Sequence, residues 1–157
     1  MIVVVMGVAG SGKTTIGKLL AAHLGCAFLD GDDFHPPENV AKMAAGTPLT
    51  DADRRPWLEK LNGKLLENQD VVLACSALKE SYRTVLSREL PGCRFVHLRG
   101  SIEMIRTRLE ERQHRYMPAS LLESQFETLE LPPNAIDVDI GSLPEQCVET
   151  ILSALSR

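Results

Sequence analysis

Ile2-Val3-Val4-Val5-Met6-Gly7-Val8-Ala9-Gly10-Ser11-Gly12-Lys13-Thr14-Thr15 passes from an apolar, β-branched run straight into G-x-x-x-x-G-K-[ST]. Five apolar residues bounded by glycine read as a buried strand. The glycines allow a tight turn whose N–H groups aim inward at an anion. Behind the loop, Ile16, Leu19, Leu20 and Leu24 recur at helical spacing, and Gly25 stands where a helix C′ residue belongs. The N-terminus of that helix points its dipole at the same anion. A glycine-rich turn matching by accident would not bring a strand before it and a helix after it. The stretch therefore implies a nucleoside triphosphate site built from Gly7, Val8, Ala9, Gly10, Ser11, Gly12, Lys13, Thr14 and Thr15. Lys13 supplies charge at the β/γ-phosphates, and the Thr14 hydroxyl suits Mg²⁺.

Outward from this stretch, strands and helices alternate. Short β-branched-rich runs at 2–6, 27–29, 71–75, 94–98 and 136–140 read as strands covered on both faces. Ser101 is placed to cap a helix bearing Ile102, Ile105 and Leu109. Ser120-x-x-Glu123 and Ser142-x-x-Glu145 read as capping boxes opening two more helices. Between Asn39 and Leu66 the helical pattern is broken by Gly46-Thr47-Pro48, which predicts two helices in a small flap. The expectation is a three-layer α/β domain: a five-stranded parallel sheet flanked by helices, with the ligand crevice at the carboxyl ends of the strands.

Composition sets the outer limits. The 157 residues suit one domain over 1–157, and 44% hydrophobic content is that of an ordinary globular chain. A net charge of −4 with no Lys/Arg block argues against nucleic acid as a partner. Cys26, Cys75, Cys93 and Cys147 are scattered without a C-x-x-C pair and read as reduced thiols, neither zinc site nor disulfide frame. A strand beginning at Ile2 leaves no room for a signal peptide, and no apolar run approaches the roughly 20 residues of a membrane span. A cytoplasmic protein with no membrane partner is expected.

Which P-loop chemistry follows from what is missing and what is present. No Asn-Lys-x-Asp base-reading segment marks a GTPase, and the third strand ends Ala74-Cys75-Ser76, without the terminal acid of a motor or transport ATPase. The acids stand after the second strand instead, in Leu29-Asp30-Gly31-Asp32-Asp33. That placement resembles the small-metabolite kinases related to nucleoside monophosphate and shikimate kinases. Three further segments narrow it: Asp30-Gly31-Asp32-Asp33-Phe34-His35-Pro36; Lys42-Met43-Ala44-Ala45-Gly46-Thr47-Pro48-Leu49-Thr50-Asp51-Ala52-Asp53-Arg54-Arg55-Pro56-Trp57-Leu58; and Cys75-Ser76-Ala77-Leu78-Lys79-Glu80-Ser81-Tyr82-Arg83. With Ser124-Gln125-Phe126-Glu127-Thr128-Leu129-Glu130, and in this order, they resemble the gluconokinase family from the P-loop to the last strand. Asp33 and Tyr116 depart from the residues usual there, which bears only on fine substrate preference.

The resemblance implies a P-loop kinase fold with a helical substrate-binding flap over about 36–68 and a short lid over about 112–118. It implies ATP and Mg²⁺ as cofactors, D-gluconate as acceptor, 6-phospho-D-gluconate as product for the pentose phosphate route, and a homodimer. Two acids around a glycine also make an ordinary turn. Beside a P-loop, however, phosphoryl transfer needs a metal at the β/γ-oxygens and a group orienting the attacking hydroxyl. Asp30 fits the first need and Asp32 the second. An anionic polyol requires cations and hydrogen-bond partners, and His35, Lys42, Arg54, Lys79 and Arg83 offer them in or beside strand-end loops. Taken singly, each is equally a solvated surface group, and Trp57 reads as core packing. The cluster from Arg106 to Arg115 reads by itself as a solvated helix face; the resemblance makes it a lid, with Arg108 near adenine and Arg112 at the transferred phosphate. Two readings stand: a carbohydrate-acid kinase, with shikimate or another small acid as the alternative acceptor, and a nucleotide-gated regulatory module. Intact Lys13, Thr14, Asp30 and Asp32 favour the enzyme, since a pure binder needs no acid on the acceptor side.

Overall fold

The structure is a computed structural model describing residues 1–112 and 119–157, with side chains for 1–111 and 121–157. Five strands alternate with seven helices among these residues: β1 (Ile2–Met6), α1 (Lys13–Leu24), β2 (Ala27–Asp30), α2 (Pro37–Ala44), α3 (Asp51–Leu66), β3 (Val71–Ala74), α4 (Glu80–Leu86), β4 (Arg94–Arg99), α5 (Ile102–Arg112), α6 (Ala119–Thr128), β5 (Ile136–Asp139) and α7 (Pro144–Leu155). A 3₁₀ turn, Gly31–Phe34, follows β2 directly. The sheet is parallel throughout, in the order β2-β3-β1-β4-β5. All of β1 and β3 is buried, as expected of central strands covered on both faces. From β1 the chain crosses toward β2, and from the adjacent β3 it crosses the other way toward β4. Right-handed crossovers in opposite directions put α1 and α4 on opposite faces and open a crevice beyond the ends of β1 and β3. The P-loop occupies that switch point, and the Gly7 N–H donates to Ser76 O at 3.3 Å to join it to the end of β3.

Packing follows the apolar stripes. Leu58, Leu61 and Leu65 repeat along α3 and are at most 2% exposed. Burying each such side chain contributes about 1.5–3 kcal/mol. Helix α3 is fixed at its start by a capping box: Thr50 Oγ1 accepts from the Asp53 N–H at 3.1 Å, and Asp53 Oδ2 accepts from the Thr50 N–H at 2.9 Å.

Three expectations about helix starts meet different fates. Ser101 Oγ accepts from the Met104 N–H at 3.1 Å, capping α5 as its position foretells. Ser120 already lies inside α6, which is helical from Ala119, so the box expected at 120–123 does not open that helix; Glu123 pairs with Arg106 instead. The box expected at 142–145 is shifted by one residue. Pro144, with φ preset and no N–H to satisfy, takes the first helical position, and the Leu143 N–H donates to Gln146 Oε1 at 3.2 Å. The stretch 36–68 holds α2 and α3, whereas the lid expected over 112–118 lies outside the described residues apart from the backbone of Arg112. The four cysteines are all free.

Candidate active site

Strand β1 delivers the P-loop and α1 leaves it. Gly10 adopts φ +77°, and a Cβ there would sit 2.9 Å from the Leu109 side chain, so only glycine lets α5 pack this close to the loop. The N–H groups of Lys13, Thr14 and Thr15 belong to the first turn of α1 and have no acceptor within the helix. These residues line a cleft of about 490 Å³. Ser11 is wholly buried, its N–H donating to Val8 O, so its hydroxyl takes no part in that wall. Lys13 Nζ donates to Gly7 O and Val8 O, each at 3.0 Å, which holds the ammonium back against the loop. Burial lowers its pKa, and the negative charges of Asp32 and Asp30 oppose that fall.

Asp30, the last residue of β2, accepts from the Thr14 hydroxyl at 3.0 Å through Oδ2 and from the Asp32 N–H at 3.0 Å through Oδ1. A P-loop hydroxyl and a carboxylate thus stand together at the mouth of the nucleotide half. Their hard oxygens suit Mg²⁺, which keeps several waters and takes phosphate oxygens for the rest of its shell. Among the described residues no group of three His, Cys, Asp or Glu side chains could hold a metal by itself, so a cation here depends on those other ligands. Gly31 explains the D-G-D spelling: a Cβ would meet Ala74 O at 2.8 Å, so glycine lets the turn lie against the end of β3 and carry Asp32 into the cleft. Cys75, beneath the same corner, has its thiol pushed up to about 12 by burial and is no nucleophile.

The other side of the cleft is formed by the turn after β2, the stretch 36–68 and α6. His35 lines the cleft, stacked on Trp57 with ring centroids 4.0 Å apart. Burial, with the nearby Arg54 charge, lowers its pKa to about 4. Asn39 settles the tautomer. Its Nδ2 donates one proton to Asp53 O at 3.0 Å and the other to His35 Nδ1 at 3.2 Å, so His35 is neutral and carries its proton on Nε2. Trp57 is 3% exposed and donates through Nε1 to Gly31 O at 2.8 Å, so the core role expected of it includes bracing the acidic turn. Arg54 also lines the cleft.

Three other expected substrate cations are not among the residues lining the cleft and pair with other groups instead. Lys42 pairs with Asp53 at 2.8 Å, which lowers the Asp53 pKa to about 2 and joins α2 to α3. Lys79 pairs with Asp51 at 3.2 Å. Arg83, with a side chain 4% exposed, donates to Ala77 O at 2.7 Å, to Glu130 O at 2.9 Å and to Glu80 Oε2. Its work is local: Ala77 has φ +46°, a left-handed conformation strained for a residue with a Cβ, and Arg83 ties down its carbonyl. Glu130 completes the joint by accepting the Glu80 N–H at 2.9 Å. The segments 75–83 and 124–130, far apart in sequence, thus meet in one clamp behind Ser76, which lines the cleft. Arg108 donates to Ile140 O, which places it at the loop following β5. The side chain of Arg112 lies outside the described residues.

Sequence reasoning left three contributors unassigned. Asn39 holds His35 and Asp53 O, and Tyr82 accepts a hydrogen bond from Arg54 at 2.7 Å. Gln125, on α6, accepts the Ala9 N–H at 2.7 Å through Oε1, bridging 116 residues to reach the P-loop. Tyr82 and Gln125 carried no signal beyond their place in segments 75–83 and 124–130, and Asn39 none beyond standing between segments 30–36 and 42–58.

The comparisons agree with this geometry. The shikimate kinase family model matches residues 9–131. The chain is 43% identical over 162 residues to the thermosensitive gluconokinase of Escherichia coli strain K12, covering 96% of this chain and 87% of that one. It is 50% identical over 133 residues to the gluconokinase of Gluconobacter oxydans strain 621H, covering 82% and 75%. The crystal structure of a gluconokinase from Sinorhizobium meliloti 1021 superposes with a TM-score of 0.93 at 44% identity, covering 99% of this chain and 91% of that one. A parallel sheet carrying a P-loop beside a D-G-D turn, continued by relatives of this closeness over nearly the whole length, makes the chain a member of the gluconokinase family among the shikimate kinase-like P-loop kinases.

Proposed function

We propose that the chain transfers the γ-phosphoryl group of ATP to the 6-hydroxyl of D-gluconate, giving ADP and 6-phospho-D-gluconate. The observation that carries this reading is one cleft walled on one side by Lys13, Thr14 and Asp30 and on the other by Asp32, His35 and Arg54. Catalysis of this kind is positioning plus charge stabilisation. The P-loop N–H groups and Lys13 hold the β- and γ-phosphates. Asp32 orients the acceptor hydroxyl and takes its proton as the oxygen bonds to phosphorus and the bond to the bridging oxygen of ADP breaks. Mg²⁺, held by Thr14 and Asp30, would neutralise charge on the phosphate oxygens. Neutral His35 offers an Nε2–H to a sugar hydroxyl, and Arg54 offers its planar edge to the carboxylate. Arg108 serves the adenine side, and Arg112 meets the transferring phosphoryl group when the lid closes. Lys42, Lys79 and Arg83 support the acceptor wall through the pairs described above.

Similarity to gluconokinases and the family spelling of segments 30–36 and 42–58 support gluconate over shikimate. A coupled ADP-release assay decides: turnover with gluconate and not with shikimate is expected. ADP release that no acid stimulates would leave the nucleotide-gated module as the better reading. No helix among the described residues is long and apolar enough to cross a membrane. The free thiols support a reducing, cytoplasmic setting, and the family resemblance supports a homodimer, which light scattering on the purified chain tests.

A further inference from the structure

We infer that Tyr82 is a positioning residue that makes Arg54 selective for an anionic acceptor, by holding its guanidinium without neutralising its charge. The inference rests on the reading that Arg54 meets the acceptor carboxylate. Tyr82, 4% exposed on α4, stands between two charged groups of α3. Its oxygen accepts from Arg54 Nη1 at 2.7 Å, and its single proton goes to Asp51 Oδ1 at 2.5 Å. The direction is fixed, because an ionised carboxylate only accepts and a guanidinium only donates. The ring adds a second hold, with Arg54 Cζ 5.1 Å from its centroid.

Charge explains why a phenol stands here. Were Arg54 seated directly on Asp51, the two would form an ion pair and the cleft would lose its free positive charge. Asp51 is instead paired with Lys79, at 3.2 Å and 3.4 Å, and Tyr82 passes on only a hydrogen bond. Arg54 is therefore immobilised at one Nη while its charge and remaining N–H groups serve the cleft it lines. The row Lys79, Asp51, Tyr82, Arg54 gives a purpose to the lysine of segment 75–83 that a direct substrate contact does not.

Tyr82→Phe removes one oxygen and keeps the ring. The KM for gluconate is expected to rise about tenfold, the scale of one hydrogen bond to a charged group, with the KM for ATP unchanged. In an Arg54→Ala background the same substitution should do nothing further to kcat/KM for gluconate. The inference is overturned if Y82F leaves the gluconate KM alone, if it shifts both substrates alike, or if its effect persists undiminished without Arg54. Nitrogen-15 spectra test the clamp without substrate: the Arg54 guanidinium signals, resolved in the unaltered chain, should broaden in Y82F, and unchanged signals overturn it. Failure of the unaltered chain to phosphorylate gluconate would instead sink the functional reading, leaving these signals to decide whether Tyr82 holds Arg54. Should Y82F fold poorly, Asp51→Asn loosens the same row at an exposed position and should raise the gluconate KM in the same direction.

Discussion

Replacing Asn39 by alanine separates the hydrogen-bond account of the flap from simple packing. Asn39 is 3% exposed, and its carboxamide joins three segments: its own helix α2, the first turn of α3 through Asp53 O, and the turn after β2 through His35 Nδ1. N39A removes both of these hydrogen bonds. At about 1–1.5 kcal/mol each the loss is about 2–3 kcal/mol. For a domain of this size that corresponds to a fall in Tm of roughly 5–10 °C. The pH dependence sharpens the test. In the intact chain burial and Arg54 hold the His35 pKa at about 4, below the ordinary 6.5. A histidine kept neutral in this way contributes stability that is complete above its unfolded pKa and is lost as pH falls through the folded one. In N39A the Nδ1 lone pair faces water and accepts a proton more readily, so the His35 pKa rises and less stability is lost on acidification. The gap in Tm between the two proteins should therefore be widest near neutrality and narrow toward pH 5, above the range where Asp53, at about 2, begins to titrate. Calorimetric scans at several pH values measure this directly. A gap under 1 °C at pH 7.5, or one that widens on acidification, refutes the bridging role assigned to Asn39.

Further expectations concern the chemistry. Lys13→Ala should cost about 10²–10³ in kcat while unfolding stays cooperative; a variant keeping a large share of turnover would contradict the nucleotide-site assignment. Asp32→Asn should lower kcat about 10²-fold with little change in ATP binding, whereas a mere turn residue would shift the Tm and spare activity. Arg112→Ala should reduce kcat more than ATP affinity and Arg115→Ala should do less of either, since an interaction made mainly in the transition state raises rate and not ground-state binding; the reverse order in steady-state kinetics would mean the lid register is wrong.

What the sequence made legible divides along a physical line. The strand-loop-helix of residues 2–24 could be read because its information is local: a run of β-branched residues, a glycine spacing fixed by backbone conformation, and a 3.6-residue repeat. The same holds for the break at Gly46-Thr47-Pro48 between α2 and α3. The acidic turn was legible in part, but the reason for its glycine is the carbonyl of Ala74, more than forty residues on, which no local pattern contains. The cations expected to meet the acceptor show where reading along the chain stops. His35, Lys42, Arg54, Lys79 and Arg83 look alike as positive groups near strand ends. What sorts them is which acid or carbonyl folding brings alongside each: Asp53 for Lys42, Asp51 for Lys79, and Glu80 with the carbonyls of Ala77 and Glu130 for Arg83. A cation whose charge is matched by a neighbouring carboxylate offers little attraction to an incoming anion, so these three strengthen the frame while Arg54, hydrogen-bonded to a neutral phenol, keeps its charge for the cleft. Family-specific spelling therefore marks two kinds of residue without telling them apart, those proposed to meet the ligands and those that hold them in place. Tyr82 and Gln125 belong to the second kind, and each carries its effect through a single hydrogen bond to a group that the first kind supplies.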